Sequence, residues 1–379
     1  MKTKKILGQA SWQLRSTQVE AWLTCLGGHL APVTFRLKGR DVRPYAIAPW
    51  AEEKLPPAMP AVLRALRGDF FCLPFGGPGD VPKKESFPLH GDAANGRWRK
   101  PRLKRTGDRT TLSVELDSRV PRGRVTKEIT VRDGQHAVYS RHVLSGMSGP
   151  VTFSHHPMVQ FPAEPGSGLI ATSPIHFGQV SPSRAADPTK GGYSSLAPGA
   201  FFKSLRKVPK FGGGFDDVTV YPARIGYEDF VLLASVPKKI AWTTVTFPKQ
   251  GYVWFALRDP KTLPSTFFWF SNAGLHGAPA SGRLRGILGV EDMAYYFGSG
   301  QKAALGANAF TRRGHPTHAR LDPQRPTVVN TITGVAAIPR GFGRVTAIQA
   351  GAGTITLISG KKRVVCAVDH EFLQSRDGR

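Results

Sequence analysis

Cysteine, acidic charge and long apolar runs are all scarce in this sequence. Its 379 residues hold 3 Cys, namely Cys25, Cys72 and Cys366. They are odd in number, widely spaced and lack metal-ligand spacing, which argues against a disulfide framework and for reduced thiols in a cytoplasmic protein. Asp plus Glu number 26 against 52 Lys plus Arg, a formal net charge of +26 at pH 7. Such an excess attracts anionic ligands through its long-range field. No uncharged apolar stretch reaches the roughly eighteen residues of a membrane-spanning helix, so no membrane partner is expected. The segment MKTKKILGQASWQ offers only Ile6-Leu7 where a secretory signal needs a long apolar core. Phe211-Gly212-Gly213-Gly214 lacks the lysine and helix of a phosphate-binding loop. His315 and His318 flank Pro316 with no acidic or cysteine partner nearby, which does not make a zinc site. Neither a metal nor an organic cofactor is expected.

Turn formers and strand formers are plentiful. With 42 Gly, 31 Pro and 40% hydrophobic residues, the composition fits many short strands around a large core. Alternation and β-branched content mark three series of strands. The first runs over Thr110–Leu116, Arg124–Val131, His136–Leu144 and Pro150–Ser154. The second covers Asp229–Val236, Ile240–Phe247, Gly251–Leu257 and Thr266–Ser271. The third covers Pro326–Thr333, Arg344–Ala350, Thr354–Ser359 and Arg363–Val368. Short helices are expected at Ala58–Leu66 and Gln301–Phe310. No βαβ alternation occurs, which disfavours a nucleotide-binding parallel sheet. The expectation is all-β: one large antiparallel β-sandwich over residues 1–379, with a long loop at 163–198 and a frayed tail after 369.

Small polar clusters punctuate the strands: Arg67-Gly68-Asp69 running into Pro74-Phe75-Gly76, His90-Gly91 with Trp98 behind it, Ser154-His155-His156-Pro157, and Gly289-Val290-Glu291. An imidazole and a carboxylate are the groups that suit general acid–base catalysis near neutral pH. In order and spacing these clusters resemble motifs of the galactose mutarotase-like superfamily, the aldose 1-epimerases and their hexose-6-phosphate relatives. Leu26–Val33, Leu66–Gly76, Leu89-His90-Gly91 with Trp98, Ser154–Val159, Phe215–Val220, and Thr266–Asn272 with Ile287–Glu291 resemble the family's successive segments. Met158-Val159 stands where the family has an aromatic pair, and Asp69 where it has a glycine.

The resemblance implies the supersandwich fold and the interconversion of sugar anomers. It implies Glu291 as base and His156 as acid, with His155 as the alternate because neighbouring strand residues face opposite ways. It also implies substrate contacts from His90, Asp217, Arg67 and Trp98, and a monosaccharide or sugar phosphate as partner. Each residue has a plainer reading. Glu291 would cap a turn, His156 would be a core histidine, His90 and Asp217 would serve turns (with Asp216 competing), and Arg67 would pair with Asp69. Trp98, Trp254 and Trp269 would be core rather than a stacking floor. Arg97, Arg99, Lys100, Arg102, Lys104 and Arg105 form a dense basic run, but aromatics are scarce beside it. A solvated hairpin is therefore expected there, without specific nucleic-acid binding. A non-catalytic sugar-binding protein is one alternative. A glycoside hydrolase or lyase using Asp217 and Glu291 is another.

Overall fold

The computed structural model describes residues 1–79, 81, 85–297 and 300–376. Two large antiparallel sheets face each other. The nine-stranded sheet runs, from edge to edge, Val220–Tyr221, Gly168–Thr172, Ala241–Phe247, Tyr252–Arg258, Thr327–Ala337, Ala137–Ser145, Arg122–Arg132, Arg109–Arg119 and Arg99–Thr106. The eight-stranded sheet runs Phe201–Phe202, Ile175–Val180, Tyr227–Ser235, Ser265–Asn272, Ile287–Ala294, Phe153–His155 and Phe71–Cys72, with Met158–Gln160 also paired to Ile287–Ala294. Five strands between Lys4 and Val42 form an N-terminal sheet, and Ala347–Gly351, Thr354–Ser359 and Lys362–Ala367 form a small C-terminal one. Among the described residues, no helix is long and apolar enough to cross a membrane.

Residue patterning decides which strands go where. Arg109–Arg119 alternates, burying Leu112, Val114 and Leu116 while its Arg, Thr and Glu neighbours stay partly exposed. Ser265–Asn272 is buried at all eight positions, because both of its faces are covered. Three apolar clusters result. One fills the space between the two large sheets. A second lies on the outer face of the eight-stranded sheet and includes Trp50, Leu66, Phe70, Phe267, Trp269 and Tyr295. A third is sealed between the outer face of the nine-stranded sheet (Trp242, Phe255, Ile332) and the C-terminal strands (Ile355, Leu357, Val368).

Several expectations need correction. Residues 163–198 are not one long loop: they contain Gly168–Thr172 in one large sheet and Ile175–Val180 in the other, joined through Ser173-Pro174. Their turn residues bracket strands too short to announce themselves. The tail after 369 does not fray at once. A 3-10 turn spans His370–Gln374 and buries His370 and Leu373, Arg132 pairs with Asp369 at 2.7 Å, and Arg141 and Asn330 both donate to the Ser375 carbonyl at 2.8 Å. The expected helices shrink to Ala61–Arg64 and Gln301–Leu305, and a further one forms at Gly91–Asn95.

The basic run occupies the edge strand Arg99–Thr106, exposed at most positions. Lys100 pairs with Glu115 at 2.9 Å and Arg105 with Asp133 at 2.5 Å. Cations on an edge strand block pairing with a second sheet, so the run has a structural use in place.

Leu373→Ala tests the docked tail. The buried leucine is expected to contribute about 2–5 kcal/mol, read as a lower urea midpoint; an unchanged midpoint would mean the tail is free.

Candidate active site

Strand alternation builds the site. Ile287–Ala294 sends Leu288, Val290 and Ala294 into the core between the sheets, and Ile287 and Met293 into the outer apolar cluster. Glu291 shares the outward parity, directly across from Phe267, and Gly289 lies across from Trp269. On the other flank the chain leaves the ladder between Phe153–His155 and Met158–Gln160, with the Pro157 carbonyl accepting from the Val290 N–H at 2.8 Å. That interruption places His156 beside Glu291, with 3.2 Å between Nε2 and Oε1. Residues 135 apart in sequence thus meet side by side.

The adjoining residues face inward. His155 Nδ1 is 3.4 Å from Asp69 Oδ2, and its Nε2 is 3.3 Å from the Thr331 hydroxyl. Asp292 pairs with Arg258 of the opposite sheet at 3.1 Å. Asp69 also accepts the His156 backbone N–H at 3.2 Å.

His90 completes the cluster. Its ring centroid lies 5.3 Å from that of His156 in an edge-to-face arrangement. It adopts left-handed backbone geometry (φ 63°), followed by Gly91 at φ 73°. A Cβ on Gly91 would fall 1.9 Å from the Leu73 carbonyl oxygen, so only glycine lets the turn approach that strand. Gly289 serves the pair differently: a Cβ there would come within 3.0 Å of Glu291 Oε1. Phe70 stacks on His156 at 4.4 Å and on His29 at 4.3 Å, fixing the imidazole plane.

These groups line a cavity of about 370 Å³. Its walls include Leu63, Phe75, Phe230, Phe267, Trp269 and Phe297. Burial pushes the Glu291 carboxyl well above its usual 4.5. Burial, with smaller contributions from His90 and His29, pushes His156 well below 6.5. Burial alone lowers His90 to about 4. Both shifts disfavour the charged forms, the direction that desolvation imposes on a buried acid and a buried base. Among the described residues, the Nδ1 atoms of His90 and His156 have no hydrogen-bond partner.

The structure brings Glu291, His156 and His90 together and leaves the other expected residues elsewhere. Arg67 is fully buried and gives its guanidinium to the carbonyls of Ile6 (3.0 Å), Leu7 (2.8 Å) and Ala65 (3.1 Å). It clamps the N-terminal hairpin, while Asp69 pairs with His155. Asp217 accepts the Thr219 N–H at 2.9 Å and lines a separate cavity with Asp216 and Asp229. Trp98 is core, its indole donating to the Ala93 carbonyl at 3.0 Å beneath the Lys127 ammonium. Trp254 is core as well, and of the three tryptophans only Trp269 reaches the cavity.

Sequence reasoning passed over Phe70, although it lies inside the Leu66–Gly76 motif, and over Ser181 and Ser183, hidden in the expected loop. It also passed over Glu228, which accepts the Trp269 indole N–H and which burial pushes up to about 8. Among the described residues, no three His, Cys, Asp or Glu side chains converge as a metal site would require.

An all-β double-sheet sandwich with an imidazole–carboxyl pair on its outer face defines the class. The fold is that of galactose mutarotase-like proteins. A candidate aldose 1-epimerase from Klebsiella pneumoniae subsp. pneumoniae superposes with a TM-score of 0.60 at 12% identity, over 88% of this chain and 81% of that one. A galactose mutarotase related enzyme from Lactobacillus acidophilus gives 0.54 at 9%, over 86% and 97%. A galactose mutarotase-like protein from Lactobacillus casei gives 0.53 at 12%, over 86% and 100%. No family model and no curated protein matches the sequence.

Glu291→Gln tests the electrostatics without reference to activity. The raised carboxyl costs the wild type stability as pH rises above 4.5, where the unfolded chain ionises freely and the folded site resists. The variant is expected to be more stable than wild type at pH 8, the gain shrinking toward pH 4.5. Urea midpoints at several pH values measure it.

Proposed function

We propose that the protein is an aldose 1-epimerase-like isomerase that interconverts the anomers of a cyclic hemiacetal by general acid–base catalysis. The observation that carries this reading is the 3.2 Å contact between Glu291 and His156 in a mostly apolar cavity. Names of structural neighbours, aldose 1-epimerase and galactose mutarotase among them, support a sugar-like substrate.

Ring opening breaks the O1–H bond and the bond from C1 to the ring oxygen. His156 Nε2 takes the O1 proton while the Glu291 carboxyl gives its proton to the ring oxygen. Together these leave an open-chain carbonyl compound flanked by an imidazolium and a carboxylate. Rotation about C1–C2 presents the other carbonyl face, and closure returns both protons. The pKa directions favour this assignment over its reverse, in which Glu291 starts as the base. Substrate exchanges the Glu291–His156 hydrogen bond for two bonds of its own. His90, neutral near pH 7, lines the same cavity and is placed beside the substrate. The cycle as written moves two protons and one C–O bond and calls for no cofactor.

A two-carboxylate hydrolase finds less support, because Asp217 and Glu291 line different cavities. A phosphorylated substrate also finds less, since no Lys or Arg appears among the described residues lining this cavity.

Anomer exchange followed by polarimetry or NMR is the test. Glu291→Gln and His156→Ala are each expected to lower kcat/KM by about 10²–10⁴. Because burial holds His156 well below 6.5, wild-type kcat/KM is expected to fall on the acid side only well below that value. Full activity in either variant would refute the assignment.

A further inference from the structure

We infer that the hemiacetal taken by this cavity is hydroxyl-poor and carries an apolar face or substituent: a deoxygenated sugar or simple lactol rather than a fully hydroxylated hexose or its phosphate. The inference rests on the acid–base reading above and names the substrate class of that site.

A pyranose hexose presents six oxygens. Glu291 and His156 are committed to O1 and the ring oxygen, which leaves four hydroxyls to be met. Among the described residues, the remaining polar side chains of the cavity are His90, Ser181, Ser183 and Tyr295. None is charged near neutral pH, and none is a bidentate group of the kind that grips vicinal hydroxyls. The two side chains of that kind expected at the site are spent elsewhere: Arg67 on three backbone carbonyls, and Asp217 in the neighbouring cavity. Each buried hydroxyl left without a partner weakens binding roughly ten- to a hundredfold.

The opposite preference is built into the walls. Across the sheet, Leu232, Phe267 and Glu291 stand in one row, and Phe230, Trp269 and Gly289 in the next. The proton-transfer pair thus sits at the end of a hydrocarbon row. Trp269 offers only its ring, because its N–H is held by Glu228. Phe70 and Phe75 close in beside His156 and His90, at ring distances of 4.4 Å and 4.9 Å. A volume of about 370 Å³ falls within the range of roughly 300–1,000 Å³ that holds drug-sized ligands, so substituents on the ring have room. An apolar surround also stabilises the neutral form of the pair over its charged form.

The test compares anomer exchange of D-glucose, D-glucose 6-phosphate, a 2,6-dideoxyhexose and 2-hydroxy-6-methyltetrahydropyran by exchange NMR. In parallel, binding of the unreactive methyl acetals of glucose and of the tetrahydropyran is read by saturation-transfer NMR. The expected result is a kcat/KM at least a hundredfold higher for the two hydroxyl-poor hemiacetals than for glucose, with tighter binding of the tetrahydropyran acetal. Turnover of glucose or its phosphate at equal or higher kcat/KM overturns the substrate class and leaves the isomerase reading standing. No exchange with any hemiacetal, but preferential binding of the tetrahydropyran acetal, overturns the isomerase reading and upholds the ligand class. No exchange and no such preference overturns both.

Discussion

Desolvation of an acid and a base at one point is the constraint around which the rest of the structure is arranged. Water would ionise Glu291 and solvate His156, uncoupling them. Their contact lies on the outer face of the eight-stranded sheet among aromatic and aliphatic side chains, which disfavour the charged form of each. The smaller features serve the same end. Phe70 fixes the imidazole plane, Gly289 leaves the carboxyl its room, and the left-handed turn at His90-Gly91 brings a second imidazole into the same cavity. Holding a histidine in that backbone region and a carboxyl away from water both cost stability, and the three apolar clusters must offset them.

Two dipeptides divide the labour. In His155-His156 and Glu291-Asp292, one residue of each faces the cavity and the other faces the space between the sheets. The inward halves are structural: Asp292 reaches Arg258 of the opposite sheet, and His155 joins Asp69 to Thr331. Asp69 then holds the backbone N–H of His156 itself, so the buried network fixes the strand that presents the imidazole. A buried ion pair is weak evidence for net stability, but it fixes register, and register is what keeps Glu291 opposite Phe267.

Much of this was legible in the residues. Strands with clean alternation or β-branched runs, such as Thr354–Ser359 and Ala241–Phe247, lie where their patterns put them, to within a residue or so. The expectation that a histidine from Ser154–Pro157 meets Glu291 came from the family resemblance, and parity said only that His155 and His156 face opposite ways. The misses share a cause: partners far away in sequence. Arg67 looked like a ligand fork because nothing local reveals that the Ile6-Leu7 carbonyls wait for it. Asp217 lines a different cavity, a displacement that no spacing rule encodes. Short strands inside Gly-, Ser- and Pro-rich sequence, and a polar tail anchored by Leu373, are fixed by tertiary contact against their local propensity.

The small C-terminal sheet has a consequence for biogenesis. Trp242, Phe255 and Ile332 are shielded by Ile355, Leu357 and Val368, residues translated after every strand they cover. Until those strands emerge, the growing polypeptide displays a bare aromatic surface on an otherwise assembled layer, the kind of intermediate that invites adhesion.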